Sequence, residues 1–465
     1  MRTFVFNETM KLRRQTLIKM GKLFLNDTLQ KELPKLNKTL LPGPHPTYRT
    51  SLYHEREVLK QRIKLYLGLN YKDTKDYELY EISDFYENLG QFEKKNNNEF
   101  IQVIKEACDG CPSGKYYATD LCRNCVAHSC KTVCPKNAIS IENNRAYINA
   151  EACVGCGLCA KACNYFAIVK LERPCERACA VNAISSDETN AAQIDSEKCI
   201  NCGACYIACP FGALESPSDM LKVMSHIKNN DKIVAIFAPA IAGQFGPKVQ
   251  IGQIKQALLN IGFSDACEVA LGADLVAKEE AEYLEKTDSL VTTSCCPSFV
   301  SYIKKYQKDF EKNISPAASP MVELAKHIKK RGQKIVFIGP CIAKKMEAKE
   351  SKIVNYVLTF EELASLFISF GIEPSSLETL KVEGSNLGWN FAQAGGVSEA
   401  VKAYCNKNLM ISKMNGISEG NEVFKKIKSV NINLLEGMAC EGGCICGPGV
   451  MINPLLAKNS LKNTK

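Results

Sequence analysis

The chain lacks most of what would direct its reading elsewhere. No run of 18 or more apolar residues occurs in its 465 residues, so no membrane-spanning helix is expected. The opening MRTFVFNETMKLRRQ has no apolar core of the kind an export signal carries, so a cytoplasmic protein without a membrane partner is the expectation. There is one Trp and no aromatic-rich strand of the RNA-binding type, so the formal net charge of +9 gains no support as a nucleic-acid signature. Hydrophobic residues make up 46% and charged residues 23%, a globular balance that excludes disordered and fibrous classes. Cysteine is also missing, but only locally: residues 1–107 have none.

Elsewhere cysteine is abundant. Of 24, sixteen fall in the 102 residues from Cys108 to Cys209 and eight in the 256 that follow. A secreted disulfide scaffold is short and carries a signal peptide, and this chain fits neither condition. Thiols clustered at fixed spacing in a reducing compartment are metal ligands instead. A four-iron cubane with its four thiolates carries roughly −2, so four of them would nearly cancel the basic excess.

Length divided by ~150 suggests about three domains. Residues 1–107 read as a helical, polar appendage. KLRRQTLIKMGKLFLNDTLQKELPKL places Leu17, Met20, Leu23 and Leu29 near one helical face, LLPGPHP (40–46) breaks it, and HEREVLKQRIKLYLGL (54–69) reads as another amphipathic helix. Residues 108–170 and 171–216 read as two ferredoxin-like α+β iron–sulfur units with a short internal repeat: Ala138-Ile139, Ala167-Ile168, Ala183-Ile184 and Ala213-Leu214 each follow cysteines. Residues 217–465 alternate strands with helices. KIVAIFAPAI (232–241), SLVTTSCCP (289–297) and KIVFIGPCIAK (334–344) look like buried strands ending at unusual turns, with helices in 246–263 and 320–332. The expected class is α/β with largely parallel sheets and flanking helices, whose ligands collect beyond the strands' carboxyl ends.

Cys199-x2-Cys202-x2-Cys205-x3-Cys209-Pro210 is a complete bacterial ferredoxin run; Cys153-x2-Cys156-x2-Cys159-x3-Cys163 is the same with Asn164 for proline. Cys122-x2-Cys125-x4-Cys130-x3-Cys134 has a two-residue insertion, Cys175-x3-Cys179 is a back half, and Cys108-x2-Cys111 a front half. Three cysteines of a run hold one cubane and the fourth serves the other. The sets become Cys122, Cys125, Cys130 and Cys163; Cys134, Cys153, Cys156 and Cys159; Cys179, Cys199, Cys202 and Cys205. By elimination, Cys108, Cys111, Cys175 and Cys209 form the fourth. Direct pairing of the Cys153 and Cys199 runs is an alternative. Structural zinc competes, evenly so for Cys108 and Cys111. His128 stands among the ligands and is read as a surface or supporting residue.

Four more cysteines lie in three loops: Cys296 in TSCCPSF, Cys341 in GPCIAKKMEA, and Cys440 with Cys444 in EGMACEGGC. A three-residue gap is one helical turn, so Cys440 and Cys444 are expected to face one point. Cys267, Cys405 and Cys446 match no motif, and burial is expected of Cys446.

These three segments resemble the signatures of [FeFe]-hydrogenases, and SCCPSF resembles the clostridial group B type, as do residues 30–70. The resemblance implies a two-lobed catalytic domain over 217–465 that reversibly reduces protons to H2 at an H-cluster, a cubane bridged to a diiron unit with CO, cyanide and a dithiolate. It implies that Cys296, Cys341, Cys440 and Cys444 hold the cubane, with Cys444 the bridge. It makes Cys295 the proton donor and acceptor, Lys344 a cation facing a cyanide, and Ala238, Pro239 and Met438 packing residues. It implies a proton route through Glu280 and Ser315, with Tyr283 where a second glutamate is expected and Glu279 or Glu282 as substitutes. Gly339 and Met321 depart from the common Met and Gln. Ferredoxin is the implied electron partner of an anaerobic enzyme, and maturation proteins are implied. An iron–sulfur assembly protein or a hydrogen sensor is the rival reading; Cys295, Lys344 and the intact Cys444 loop argue against an assembly protein.

Overall fold

The computed structural model describes residues 5–71, 81–87, 99–112 and 114–462. Residues 72–80 and 88–98 of the helical appendage lie outside the described residues. No helix among the described residues is long and apolar enough to cross a membrane.

The continuous apolar strand Ile233–Phe237 is buried at every position, which suits a strand covered on both faces. It lies inside a four-stranded parallel sheet in the order Asp265–Glu268, Ile233–Phe237, Lys334–Ile338, Tyr356–Leu358. A second parallel sheet runs Val291–Thr292, Leu434–Met438, Ile411–Asn415. Only two residues of the 289–297 run are strand, because the chain turns away at Thr293 toward Cys295 and Cys296. The strand ends carry the candidate site residues. Ile233–Phe237 leads into Ala238 and Pro239, Val291–Thr292 into the Cys295–Cys296 pair, Lys334–Ile338 into Cys341, and Leu434–Met438 into Cys440. Helices Ile251–Ile261 and Pro320–Ile328 fall within their expected segments.

Two antiparallel strand pairs nest the cysteine block. Lys115–Ala118 pairs with Ile168–Leu171 and closes a unit around the cysteines from 122 to 163. Outside it, Gln102–Val103 pairs with Leu214–Glu215 and closes a unit containing the other eight. One ferredoxin-type unit is therefore inserted into another, between Cys111 and Cys175. This redraws the consecutive division 108–170 and 171–216, because Cys108 and Cys111 are the front half of the run whose back half is Cys175 and Cys179. The isolated halves are one motif interrupted by the insertion.

The first amphipathic stretch forms two helices, Glu8–Leu25 and Leu29–Leu40, separated where Asp27 takes a left-handed φ of 56°. Leu17, Met20 and Leu29 are buried as the helical face predicts. Together with helix Leu52–Tyr66, these helices join the core of the four-stranded sheet. Buried Arg13 and Arg62 both reach Glu215 on the outer iron–sulfur unit, at 2.9 and 3.2 Å.

Candidate active site

The four loop thiols arrive from three directions. Cys296 precedes helix Pro297–Tyr306, and Cys341 stands two residues before helix Ala343–Ser351. Backbone N–H groups of Ser298 and Phe299 approach the first sulfur, and those of Ala343 and Lys344 the second, as helix N-termini favour. Cys440 and Cys444 follow strand Leu434–Met438, but not as a helical turn. Gly442 and Gly443 have φ of 94° and 91°, and such consecutive left-handed residues preclude an α-helix. The gap is spanned instead by a folded glycine loop, which Asn415 holds through its side-chain oxygen 2.6 Å from the Gly442 N–H.

Burial raises all four thiols: Cys341 to about 11, Cys444 to about 12, Cys296 above its ordinary value and Cys440 well above it. Cys341, Cys440 and Cys444 also feel one another or Cys296 as like charges. A cluster of this kind becomes stable as thiolates only around a compensating cationic body. Cys440 has Cys341, Cys296 and Cys444 as charged neighbours, so the four thiols are gathered in one place, although among the described residues no three His, Cys, Asp or Glu side chains are set to hold a single ion.

Beside them is an apolar cavity of about 70 Å³ lined by Ala238, Pro239, Cys295, Phe337, Met438 and Cys444 among others. One water needs ~10–15 Å³ on this measure, so the space admits a small polyatomic group. Thiol set and cavity together fit a cubane carrying a smaller metal unit. Met321 and Lys344 also line the cavity. At Gly339 an added Cβ would fall 2.6 Å from the Phe337 ring, so the missing side chain is what lets that ring reach the cavity.

Cys295 is held well above its ordinary value by burial, with Cys296, Glu280, Glu436 and Cys444 as negative neighbours. A thiol so placed stays protonated. Glu280, on helix Val269–Lys286, is fully buried, not an exposed helix charge. Burial lifts it to about 7. Ser315 and the Ser294 N–H are its polar neighbours, yet neither carboxyl oxygen has a partner with hydrogen-bond geometry. Glu279, Glu282 and Tyr283 are exposed on the same helix. Lys344 Nζ donates to Glu347 Oε2 at 2.6 Å, Ser319 Oγ at 3.0 Å and Cys295 O at 3.3 Å. Burial opposes its charge, but Glu347 overrides this and the ammonium is held above its ordinary range.

Glu436 escapes a reading of the sequence. It is buried, accepting N–H bonds from Gly395 at 2.6 Å and Ser398 at 2.9 Å. A signal for it exists: one carboxylate in the apolar strand LLEGM, just ahead of Cys440. Cys446 is buried as expected; Cys267 and Cys405 are partly buried, and neither lines the cavity beside the four thiols.

The sixteen remaining thiols fall into four groups. Cys130 is set among Cys122, Cys125 and Cys163. Cys134, Cys153, Cys156 and Cys159 line one small cavity. Cys199, Cys202 and Cys205 gather with Cys179. Cys111 and Cys175 each neighbour Cys108 and Cys209. His128 is outside these groups, bonded through Nε2 to Asn124 Oδ1 at 3.0 Å. The Ala-Ile repeat has a physical origin here. Ala138, Ala167, Ala183 and Ala213 donate N–H bonds to the sulfurs of Cys134, Cys163, Cys179 and Cys209, four residues earlier, at 3.2–3.4 Å. The residue after each alanine is buried.

The groups are contiguous. Gly155 lies against the carbonyl of Gly114, three residues past Cys111, so the Cys153 run sits where the inner unit joins the outer. Within the inner unit, Lys115 Nζ donates to Cys153 O at 2.9 Å. Cys175 neighbours Cys205. Cys202 in turn neighbours Cys341 and Cys440. Helix Pro297–Tyr306 braces this last junction: it starts at Cys296 and ends with Lys305 Nζ donating to Cys199 O at 2.8 Å.

Residues 231–448 match the family model for the C-terminal domain of the iron-only hydrogenase large subunit, and residues 146–169 and 192–215 match the 4Fe-4S binding domain. Iron hydrogenase 1 of Clostridium pasteurianum is 27% identical over 305 residues, 51% of this chain and 53% of that protein. The periplasmic [Fe] hydrogenase large subunit of Nitratidesulfovibrio vulgaris is 27% identical over 292 residues, 48% and 69% of the two chains. The chain thus spans about half the length of the first of these relatives. The solved [FeFe]-hydrogenase structure HydA(deltaEFG) superposes with a TM-score of 0.46 and 19% identity, covering 53% of this chain and 90% of that one.

Proposed function

We propose that this chain, which resembles the iron-only hydrogenases and matches the C-terminal domain of their large subunit over residues 231–448, is a working [FeFe]-hydrogenase that interconverts two protons plus two electrons with H2. The observation that carries this reading is the convergence of Cys296, Cys341, Cys440 and Cys444 beside a cavity that also holds the protonated thiol of Cys295.

Cys296, Cys341, Cys440 and Cys444 would hold the cubane, with Cys444 the bridge to the diiron unit. When bound, that group supplies an open iron at which protons and electrons combine. The protein's own residues do the rest. Cys295, shielded from cations other than the Glu347-paired Lys344, keeps its proton until it is needed. Glu280, lifted to about 7, can both give and take a proton near neutrality, where general acid–base groups work best. Ser315 faces Glu280. Lys344 presents a buried ammonium to the anionic side of the group, and Ala238, Pro239 and Met438 exclude water.

The four thiol groups support a chain of four accessory 4Fe-4S clusters. Contiguity suggests the order Cys122 group, Cys134 group, Cys108 group, Cys179 group, then the active site through Cys202. Electrons would enter or leave singly by way of ferredoxin, and dedicated maturation proteins would install the diiron unit. SCCPSF favours the clostridial group B type. Twenty-four cysteines with no disulfide among them suit an anaerobic, reducing cytoplasm.

Maturation followed by infrared spectroscopy and viologen-driven H2 assay tests the proposal. Carbon monoxide and cyanide bands together with turnover are expected. Cys295→Ala should keep the bands and lose ~10²–10⁴-fold in rate, the worth of a positioned proton donor. Cubanes without such bands would instead indicate an assembly protein.

A further inference from the structure

We propose that the helical N-terminal segment sets the reduction potential of the cluster held by Cys108, Cys111, Cys175 and Cys209, raising it through Arg49 and Arg62. The inference rests on the reading of that group as a 4Fe-4S cluster, and it gives the segment a part in electron transfer beyond packing.

One turn beside the clusters differs from its three sisters. Cys134, Cys163, Cys179 and Cys209 are followed three residues on by Asn137, Phe166, Asn182 and Gly212, all left-handed with φ of 48°, 52°, 51° and 62°. Three of the four carry a side chain, so the turn itself does not demand glycine. Gly212 is bare for another reason. A Cβ there would fall 2.6 Å from Thr9 Cγ2 and 2.8 Å from Arg62 Nη2, both in the N-terminal segment. The absent side chain admits the segment to this turn. Buried Arg62 donates to the Gly212 carbonyl at 2.9 Å.

Arg49 approaches the same thiols. Its Nη2 donates to the Ala107 carbonyl at 2.7 Å and reaches toward that of Phe211 at 3.5 Å. Ala107 precedes Cys108, and Phe211 is two residues past Cys209, so one guanidinium bridges the two ligand loops. Arg49 and Cys209 are charge neighbours accordingly. Carboxylates leave an excess of positive charge here. Glu215 is shared by Arg13 and Arg62 at 2.9 and 3.2 Å, and Glu361 pairs with Arg14 at 3.3 Å. Asp109 and Glu55 also neighbour Arg49, but Asp109 is exposed and Glu55 accepts the Thr47 N–H at 2.9 Å. The thiols themselves are prepared for a cluster: the N–H groups of Ala192 and Ala213 donate to the sulfurs of Cys108 and Cys209 at 3.3 and 3.4 Å.

Reduction at this site takes one electron from the next cluster of the wire and no proton. The charge of the cluster with its thiolates then passes from roughly −2 to roughly −3. A fixed cation nearby favours the more negative form, and burial leaves that attraction little screened. The segment therefore makes the wire hold an electron more firmly at this step than the iron–sulfur unit would alone.

Potentiometric titration followed by EPR tests this in the full chain, with its accessory clusters but without the diiron unit. The signal of this cluster is assigned by its loss in Cys175→Ser. Arg49→Gln removes the charge and keeps a donor for the Ala107 carbonyl. It should lower the potential by about 59 mV, a roughly tenfold loss in the one-electron reduction equilibrium. Gly212→Asn suits the left-handed turn, as Asn137 and Asn182 do, but displaces Arg62, and should move the same signal in the same direction. Arg49→Lys keeps the charge and should titrate like the parent. The other three signals should stay in place throughout. An unshifted potential in Arg49→Gln or Gly212→Asn, an equal shift in Arg49→Lys, or a shift shared by all four signals overturns the proposal. Zinc in place of iron at these four cysteines would remove the cluster reading and the proposal with it. H2 turnover is not read, so a chain inactive as a hydrogenase leaves the result standing.

Discussion

Lys344 Nζ lies 2.6 Å from Glu347 Oε2 at the edge of the apolar cavity, with the Cys295 carbonyl 3.3 Å from the same nitrogen. One carboxylate therefore fixes the only cation lining that cavity among the described residues. Lys344→Met should leave the four thiol ligands intact but cut retention of a diiron unit by ~10–100-fold, the usual cost of losing a partner beside a metal site. The measure is infrared cyanide-band intensity per chain after maturation. Glu347→Gln keeps the ammonium and should cost less. Equal band intensity in Lys344→Met and the parent would refute the assignment.

Glu280 gives a stability signature independent of catalysis. Its folded value is about 7, against ~4.3 for an unperturbed glutamate, so the folded chain binds more protons between those limits. Stability must then fall as pH rises through that window and level off above it. The change is of the order of a few kcal/mol. Glu280→Gln removes the titration, so its thermal midpoint should fall less between mildly acidic and neutral buffer than the parent's. Parallel curves would show that Glu280 is not buried and neutral as described.

Much of this is legible in the sequence because cysteine spacing records ligand geometry directly. Runs such as Cys199 to Cys209 are local, and each reads as one unit. The interruption between Cys111 and Cys175 is harder, since only the pairing of Gln102–Val103 with Leu214–Glu215 shows that distant halves form one motif. The Cys440–Cys444 gap reads as helical because spacing alone does not reveal backbone handedness; Gly442 and Gly443 do. Burial of Glu280 is invisible too. The sequence KEEAEYL contains three glutamates, and only the packing of this helix against helices Pro320–Ile328, Asn386–Asn390 and Gly396–Tyr404 selects the one facing inward.

Gly443 provides a sharper test of the thiol loop. Its φ of 91° and ψ of −165° lie in a region open essentially to glycine. A Cβ there would also fall 2.6 Å from Ala394 N and 2.7 Å from Ala392 O. Gly443→Ala should cost about 1–3 kcal/mol from the backbone alone. Because Cys444 follows immediately, the cluster proposed for this site should be lost before the proposed accessory ones. Iron content with EPR of the reduced protein distinguishes these. A full complement of clusters in Gly443→Ala would show that the loop tolerates rebuilding.

Phe337 and Gly339 form a coupled pair whose energetics can be read in a double-mutant cycle. The Phe337 ring occupies the volume in which a residue-339 side chain would begin, 2.6 Å away, with Ala238 Cβ at 3.2 Å. Gly339→Met alone should destabilise by ~1–3 kcal/mol through overpacking. Phe337→Ala alone should cost ~3–5 kcal/mol through the cavity it leaves. The two together relieve each other, since the new methionine fills the space of the lost ring. Their combined cost should fall short of the sum by ~0.5–3 kcal/mol, as expected for residues in contact. Thermal unfolding of the four-member set measures this without any cofactor loaded. Additive losses would mean that Phe337 does not depend on the bare backbone at 339, and the departure from the common Met would then have no structural consequence for the cavity.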